Sequence, residues 1–82
     1  MLDLKDTIEL MTSENYQDRF KAEYYQTKIR YDRLHNVVVK IDAGTLDFEP
    51  ACDVAILKDQ LAHMGGYLYI LEVRAQIEGI EL

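Results

Sequence analysis

The sequence predicts an all-α fold: an antiparallel two-helix hairpin, preceded by a short N-terminal helix and assembled as a homo-oligomeric helical bundle. Three observations predict it. Two long stretches carry apolar residues at alternating spacings of three and four, the mark of a helix with a buried seam. Gly44 and Pro50 interrupt the pattern between them. Each stretch also has a second row of partly apolar positions that a single neighbouring helix does not cover.

The 82 residues form one domain, 1–82, near the lower size at which a single core suffices. A short helix over about 3–11 opens it. Asp3 is the candidate N-cap, and Leu4, Ile8 and Met11 share a face. Thr12-Ser13-Glu14 resets the chain, a hydroxyl followed by an acid, so a long helix over about 14–42 begins near Ser13. Its seam is Phe20, Tyr24, Thr27, Tyr31, Leu34, Val38 and Ile41. A flanking row from Ala22 through Tyr25 and Ile29 to Val39 mixes polar with apolar residues. Val37-Val38-Val39 favours strand locally, but seven in-phase positions outweigh three β-branched ones.

Gly44 suits the left-handed position that ends a helix, and Pro50 prevents continuation, which gives a loop over about 43–52. Leu46 and Phe48 are placed to tuck that loop onto the helix ends. Glu49 or Cys52 caps the last helix, over about 53–78. Cys52 is the better choice, because Asp53 then offsets the N-terminal dipole. The seam of this helix runs Val54, Leu57, Leu61, Met64, Leu68, Leu71, Ala75, with a second row of Ile56, His63, Tyr67, Ile70, Arg74 and Ile77 beside it. Gly79 closes it, and Ile80 and Leu82 trail as a short tail. Two helices joined by a short loop pack antiparallel. Their second rows need burial elsewhere, and identical subunits are the readiest source of a complementary surface.

Gly65 and Gly66 interrupt the middle of that helix at a cost of about 1 kcal/mol each relative to Ala. Two readings stand. Either the missing side chains allow close helix approach or a kink where another chain crosses, or they open a floor for a flat ligand.

Composition narrows the functional classes. A net charge of −6 opposes broad DNA, RNA or anionic-membrane binding, which needs surplus Lys and Arg. Six of the nine basic residues nevertheless fall between Arg19 and Lys40, so a local positive site is compatible with an acidic chain. The one cysteine, Cys52, excludes an internal disulfide framework and a multi-cysteine zinc site. His35 and His63 lack a partner at ligand spacing, so no metal site is expected. No apolar run approaches 18 residues and the N-terminus does not resemble a signal peptide; a soluble, cytosolic protein is expected. There is no phosphate-cradling glycine loop and no nucleophile–base pair, so neither an enzyme nor a resident cofactor is expected.

The unusual feature is aromatic. Six Tyr and two Phe are present, and Tyr16, Phe20, Tyr24, Tyr25 and Tyr31 crowd one stretch, interleaved with Arg19, Lys21, Lys28, Arg30 and Arg33. Aromatic faces stack on bases while Arg and Lys neutralise phosphate, a mixture suited to a small nucleotide. Tyr24 and Tyr31 lie in the seam and read as core. Tyr16, outside it, is the freer candidate for stacking. Arg74, a charge in an otherwise apolar row, either pairs with a neighbouring acid or reaches an anion at a subunit interface.

The segments NYQDRFKAEYYQTKIRYDRL, AGTLDFEPAC and LKDQLAHMGGYLYILEVRAQIEGI resemble small phage-encoded helical-hairpin proteins of gut Firmicutes phages and crAss-like phages. These are grouped with the hairpin domain of anti-CBASS and anti-Thoeris sponge proteins. The resemblance covers roughly residues 12 to 80. It implies a hexamer in the host bacterial cytoplasm that sequesters, without cleaving, cyclic nucleotide immune signals: cyclic di- or trinucleotides, or cyclic ADP-ribose derivatives. It further implies that Tyr16 stacks on a base, that Arg30, with Lys28 as the neighbouring possibility, meets phosphate, and that Arg74 contributes to a second pocket. A different function, an oligomeric protein-binding adaptor or structural hairpin without a small-molecule ligand, uses the same seams.

Overall fold

The computed structural model describes residues 2–82. A 3-10 turn, Leu4–Asp6, leads into α1 (Thr7–Met11), and two long helices follow, α2 (Tyr16–Ala43) and α3 (Val54–Glu78). No strand occurs among the described residues, so the valine run is helical as the seam required. Nor, among them, is any helix long and apolar enough to cross a membrane.

The ends of the elements are set by specific caps. Asp3 caps the first turn in a reciprocal box with Asp6: the Leu4 amide donates to Asp3 Oδ1 at 2.7 Å and the Asp3 amide to Asp6 Oδ2 at 2.8 Å. The start of α2 differs from the sequence expectation. Asn15 rather than Ser13 is its N-cap, with Oδ1 accepting from the Gln17 amide at 2.8 Å. Ser13 instead stabilises the approach, its hydroxyl donating to Asp18 at 2.8 Å and accepting from the Asn15 amide at 3.1 Å. Likewise Asp53, not Cys52 or Glu49, caps α3, accepting from the Ala55 amide at 2.8 Å. A carboxylate answers both the unpaired amide and the helix dipole, whereas a thiol is a poor acceptor.

Both long helices end on a glycine in the left-handed region, Gly44 at φ 73° and Gly79 at φ 70°. After Gly79 the Ile80 amide donates to the Ala75 carbonyl at 2.9 Å, and the Ile80 side chain turns into the core, only 5% exposed. This is the hydrogen-bonded reversal in which the residue after the glycine packs back on the last turn. Ile80, read from sequence as a trailing tail, is therefore a core residue.

Phe20 and Tyr24 of α2 meet Leu68, Leu71 and Ala75 of α3, with Ile80 closing the end. Every position of both seams is buried or half-buried. The second rows behave differently from each other. On α2, Ala22 is buried and Tyr25 and Ile29 are half-buried; the chain's own α1 and the 3-10 turn lie against α2. A partner subunit is not needed for that part of the row. On α3 the second row stays exposed, from Ile56 to Ile77. The contacting elements are neighbours in sequence, α1 with α2 and α2 with α3, so α2 is the central layer.

Two local expectations are corrected. Ile8 and Met11 are exposed, and the residue that α1 buries is Thr7. Its hydroxyl donates to the Leu4 carbonyl at 2.7 Å, which removes the cost of burying it. In the loop Leu46 is half-buried, while Phe48 stays exposed and does not tuck in. The central glycines do not interrupt α3. A Cβ on Gly65 would lie 3.4 Å from Tyr31 Cε2, so its missing side chain seats the Tyr31 ring. A Cβ on Gly66 would meet nothing within 4 Å.

Candidate functional site

An antiparallel hairpin brings the start of α2 beside the end of α3, and that end of the molecule gathers four functional groups. Tyr16 comes from the first turn of α2 and Phe20 lies one turn further on; Arg74 and Glu78 lie one turn apart near the end of α3. The Arg74 guanidinium lies over the Phe20 ring, 5.0 Å from its centroid, a cation on an aromatic face. Arg74 Nη2 donates to the Tyr16 hydroxyl at 2.8 Å and Arg74 Nε to Glu78 Oε2 at 3.1 Å. The Tyr16 hydroxyl in turn donates to Glu78 Oε1 at 2.7 Å. Tyr16 and Phe20 meet edge to face, 6.3 Å between centroids.

The electrostatics follow from this triangle. The Tyr16 hydroxyl holds its proton more tightly than a free phenol, chiefly because it donates to the Glu78 carboxylate. Glu78 is pushed below the usual carboxylate range, first by that hydrogen bond and then by Arg74. Arg74 is held more firmly charged, mainly by Glu78. All three side chains remain open to water, and Tyr16 is exposed. Chemically this is a cation backed by an aromatic plane, its donors engaged by one exchangeable carboxylate. The cation is thus held by a carboxylate and a phenol hydroxyl at a solvent-open end of the hairpin.

Of the four residues singled out from the sequence, the structure unites Tyr16 and Arg74. Arg74 takes the neighbouring acid, Glu78, within the chain. Lys28 and Arg30 lie about 18 and 21 Å further along α2 at 1.5 Å per residue, too far to share one phosphate with Arg74. Two positions apart on a helix, they also point about 160° away from each other. Lys28 pairs with Asp32 at 2.8 Å and stands 5.7 Å over the Tyr31 ring. It borders a shallow depression of about 160 Å³ with Gly65 and Tyr69. Arg30 is exposed and makes no ion pair among the described residues.

Phe20 and Glu78 were missed in the sequence as parts of the site. The Arg74–Glu78 spacing of four was a readable signal; Phe20 was concealed because it also serves the core. A roomier groove, about 660 Å³, is lined by Tyr24, Glu72, Gln76 and Glu81 among others. Its carboxylates repel phosphate, so size does not make it the anion site. Among the described residues no His, Cys, Asp and Glu cluster is able to hold a metal ion.

Fold and site together define a small all-helical hairpin with a tyrosine–arginine–glutamate cluster at one end. The chain belongs to the Sequestin family, whose model matches residues 14–77, all of α2, the loop and nearly all of α3. The family's name speaks of sequestration of a molecule, in agreement with the resemblance to sponge-type hairpin proteins of phages. Comparison with curated proteins and with solved structures gives no match.

Proposed function

We propose that this protein is a phage anti-defence sponge that binds and retains a nucleotide immune signal without cleaving it. The ligand class is a cyclic di- or trinucleotide or a cyclic ADP-ribose derivative, and the protein acts in the host bacterial cytoplasm. The observation that carries this reading is Arg74, stacked on Phe20 and donating a hydrogen bond to the Tyr16 hydroxyl. A phosphate displaces Glu78 from the guanidinium, and a base rests on the exposed Tyr16 ring. Membership of a family named for sequestration supports binding rather than turnover.

The assembled form is a homo-oligomer, a hexamer by the resemblance drawn above. Lys28 and Arg30 lie well along α2 from Arg74, in keeping with the two separate pockets that the resemblance implies. The exposed apolar row of α3 supports an assembly, and is the feature that also favours the second reading, a protein-binding adaptor. Calorimetry and native mass spectrometry against a panel of cyclic oligonucleotides and cyclic ADP-ribose derivatives separate the two. Binding with the ligand recovered unchanged by chromatography is expected. No binding at micromolar concentration, or the appearance of hydrolysed product, rejects the sponge.

A further inference from the structure

We propose that α3 pairs antiparallel with α3 of a second copy about a two-fold axis between Gly66 and Tyr67, and that this pairing delivers Asp59 of the partner subunit to Arg74. The proposal rests on the homo-oligomer reading above and not on the identity of any ligand.

The outer face of α3 has no cover in the chain: Ile56, Ile70 and Ile77 are 58%, 57% and 78% exposed. With Tyr67 and Val73 these form a stripe opposite the buried seam, on the order of 500 Å² of apolar side chain, where monomers seldom expose more than a few hundred. Two such stripes facing each other reach roughly the 1,000 Å² that a specific interface requires.

The order of residues along the stripe says which partner and which direction. In an isologous pair, residues equidistant from the axis meet. About the point between Gly66 and Tyr67, Ile56 meets the partner's Ile77, and His63 meets the partner's Ile70. Asp59 meets the partner's Arg74, opposite charges at the two ends of the contact. At the centre Tyr67 lies over the partner's Gly66, where the missing side chain leaves room. A parallel, in-register pair would set Asp59 on Asp59 and Arg74 on Arg74, like charges facing each other.

Two further observations agree. A Cβ on Gly65 would touch the Tyr31 ring at 3.4 Å, whereas one on Gly66 would meet nothing within 4 Å, so packing inside the hairpin does not call for the second glycine. The Asp59 carboxylate makes no ion pair among the described residues. Ile56 and Ile77 lie about 31 Å apart along the helix, so the pair spans the face at the shallow crossing near 20° that facing helices adopt. The partner's carboxylate then shares the Arg74 guanidinium with Glu78, so a phosphate bound there has to displace both.

Cross-linking tests this directly. In a Cys52→Ser background, Ile56→Cys and Ile77→Cys are made as separate variants, and mixed or kept apart under mild oxidation. A disulfide needs Cα atoms within about 7 Å, so it forms where the pairing puts these positions together. The mixture is expected to give a covalent dimer of one variant with the other, and neither variant alone should do so. Cross-linking of Ile56→Cys with itself, or no cross-link in the mixture, overturns the proposal. In parallel, Gly66→Leu is expected to lower the mass in sedimentation while circular dichroism stays unchanged, because the new side chain is free in the monomer. An unchanged mass overturns the pairing. Neither readout involves a ligand, so nucleotide binding without the cross-link rejects this pairing alone, and the cross-link without nucleotide binding upholds the pairing and rejects the sponge.

Discussion

At the scale of single residues, the decisive contact is Arg74 with Glu78 and Tyr16. On the proposed function, Glu78 occupies the guanidinium that the anionic ligand needs and so competes with it. Glu78→Gln keeps the shape and removes the charge; calorimetry should show nucleotide affinity rising several-fold. Arg74→Ala should weaken binding about tenfold or more, and Arg74→Lys should restore little, since an ammonium lacks the planar stack on Phe20. Tyr24 offers a different check. Burial, and then its hydrogen bond to Glu72 at 2.7 Å, push its pKa up to about 12. A phenol whose folded pKa is raised stabilises the fold fully below its ordinary value of 10 and loses that contribution as pH climbs toward 12. Thermal melts should therefore fall off between those values, and less steeply in Tyr24→Phe, which at neutral pH costs about 1 kcal/mol. The residue-level reading from sequence was uneven for a physical reason. Arg74 stood out because a charge in an apolar row is rare, whereas Phe20 was masked by serving two purposes at once.

At the scale of elements, the seams were legible because helical periodicity is set by the backbone and survives any local preference; Val37-Val38-Val39 shows it. Caps were less so. Ser13, Asn15, Cys52 and Asp53 all sit within three positions of a helix start, and only backbone geometry decides which amide needs an acceptor. Ile80 was read as a tail because its burial depends on the reversal at Gly79, a conformation rather than a pattern. Replacing Ile80 with Ala should cost about 2 kcal/mol, measured by urea denaturation, the lower end for a buried aliphatic because a chain end relaxes. The glycines differ in kind. Gly65→Leu should displace the Tyr31 ring and lower the melting temperature. Gly66→Ala should stabilise the isolated hairpin by up to about 1 kcal/mol through helix propensity, read at concentrations where the chain is monomeric.

At the scale of the whole molecule, the hairpin is asymmetric in a way the sequence did not show. Both long helices carry a second apolar row, and periodicity treats the two alike. The structure distinguishes them: α1 covers the second row of α2, whereas among the described residues α3 packs on α2 alone and its second row stays exposed. That choice depends on where a short N-terminal segment folds back, which rests on the Asp3–Asp6 cap and the Arg33–Asp3 ion pair at 2.9 Å rather than on any repeat. Deleting residues 1–12 should uncover Ala22, Tyr25 and Ile29, lower the melting temperature and promote aggregation in light scattering, with the Arg74–Glu78 end left intact. The expectation of a homo-oligomer came from the second rows, of which the one on α3 is exposed; the ligand was beyond reach of pattern reading, because helical periodicity carries no information about it.

The layering of this chain also has a kinetic side. Contacts between helices join neighbours in sequence, so folding closes only short loops, a topology that reaches its end state in microseconds to milliseconds. On the pairing proposed above, encounter between copies is far slower at cellular concentrations and starts from finished hairpins. Each newly made chain thus passes through a period as a folded single hairpin with Arg74 already in place on Phe20. The outer row of α3 has to stay soluble throughout that interval. Asp59, His63 and Arg74, set among its isoleucines, are the residues that keep it wet until a second copy arrives.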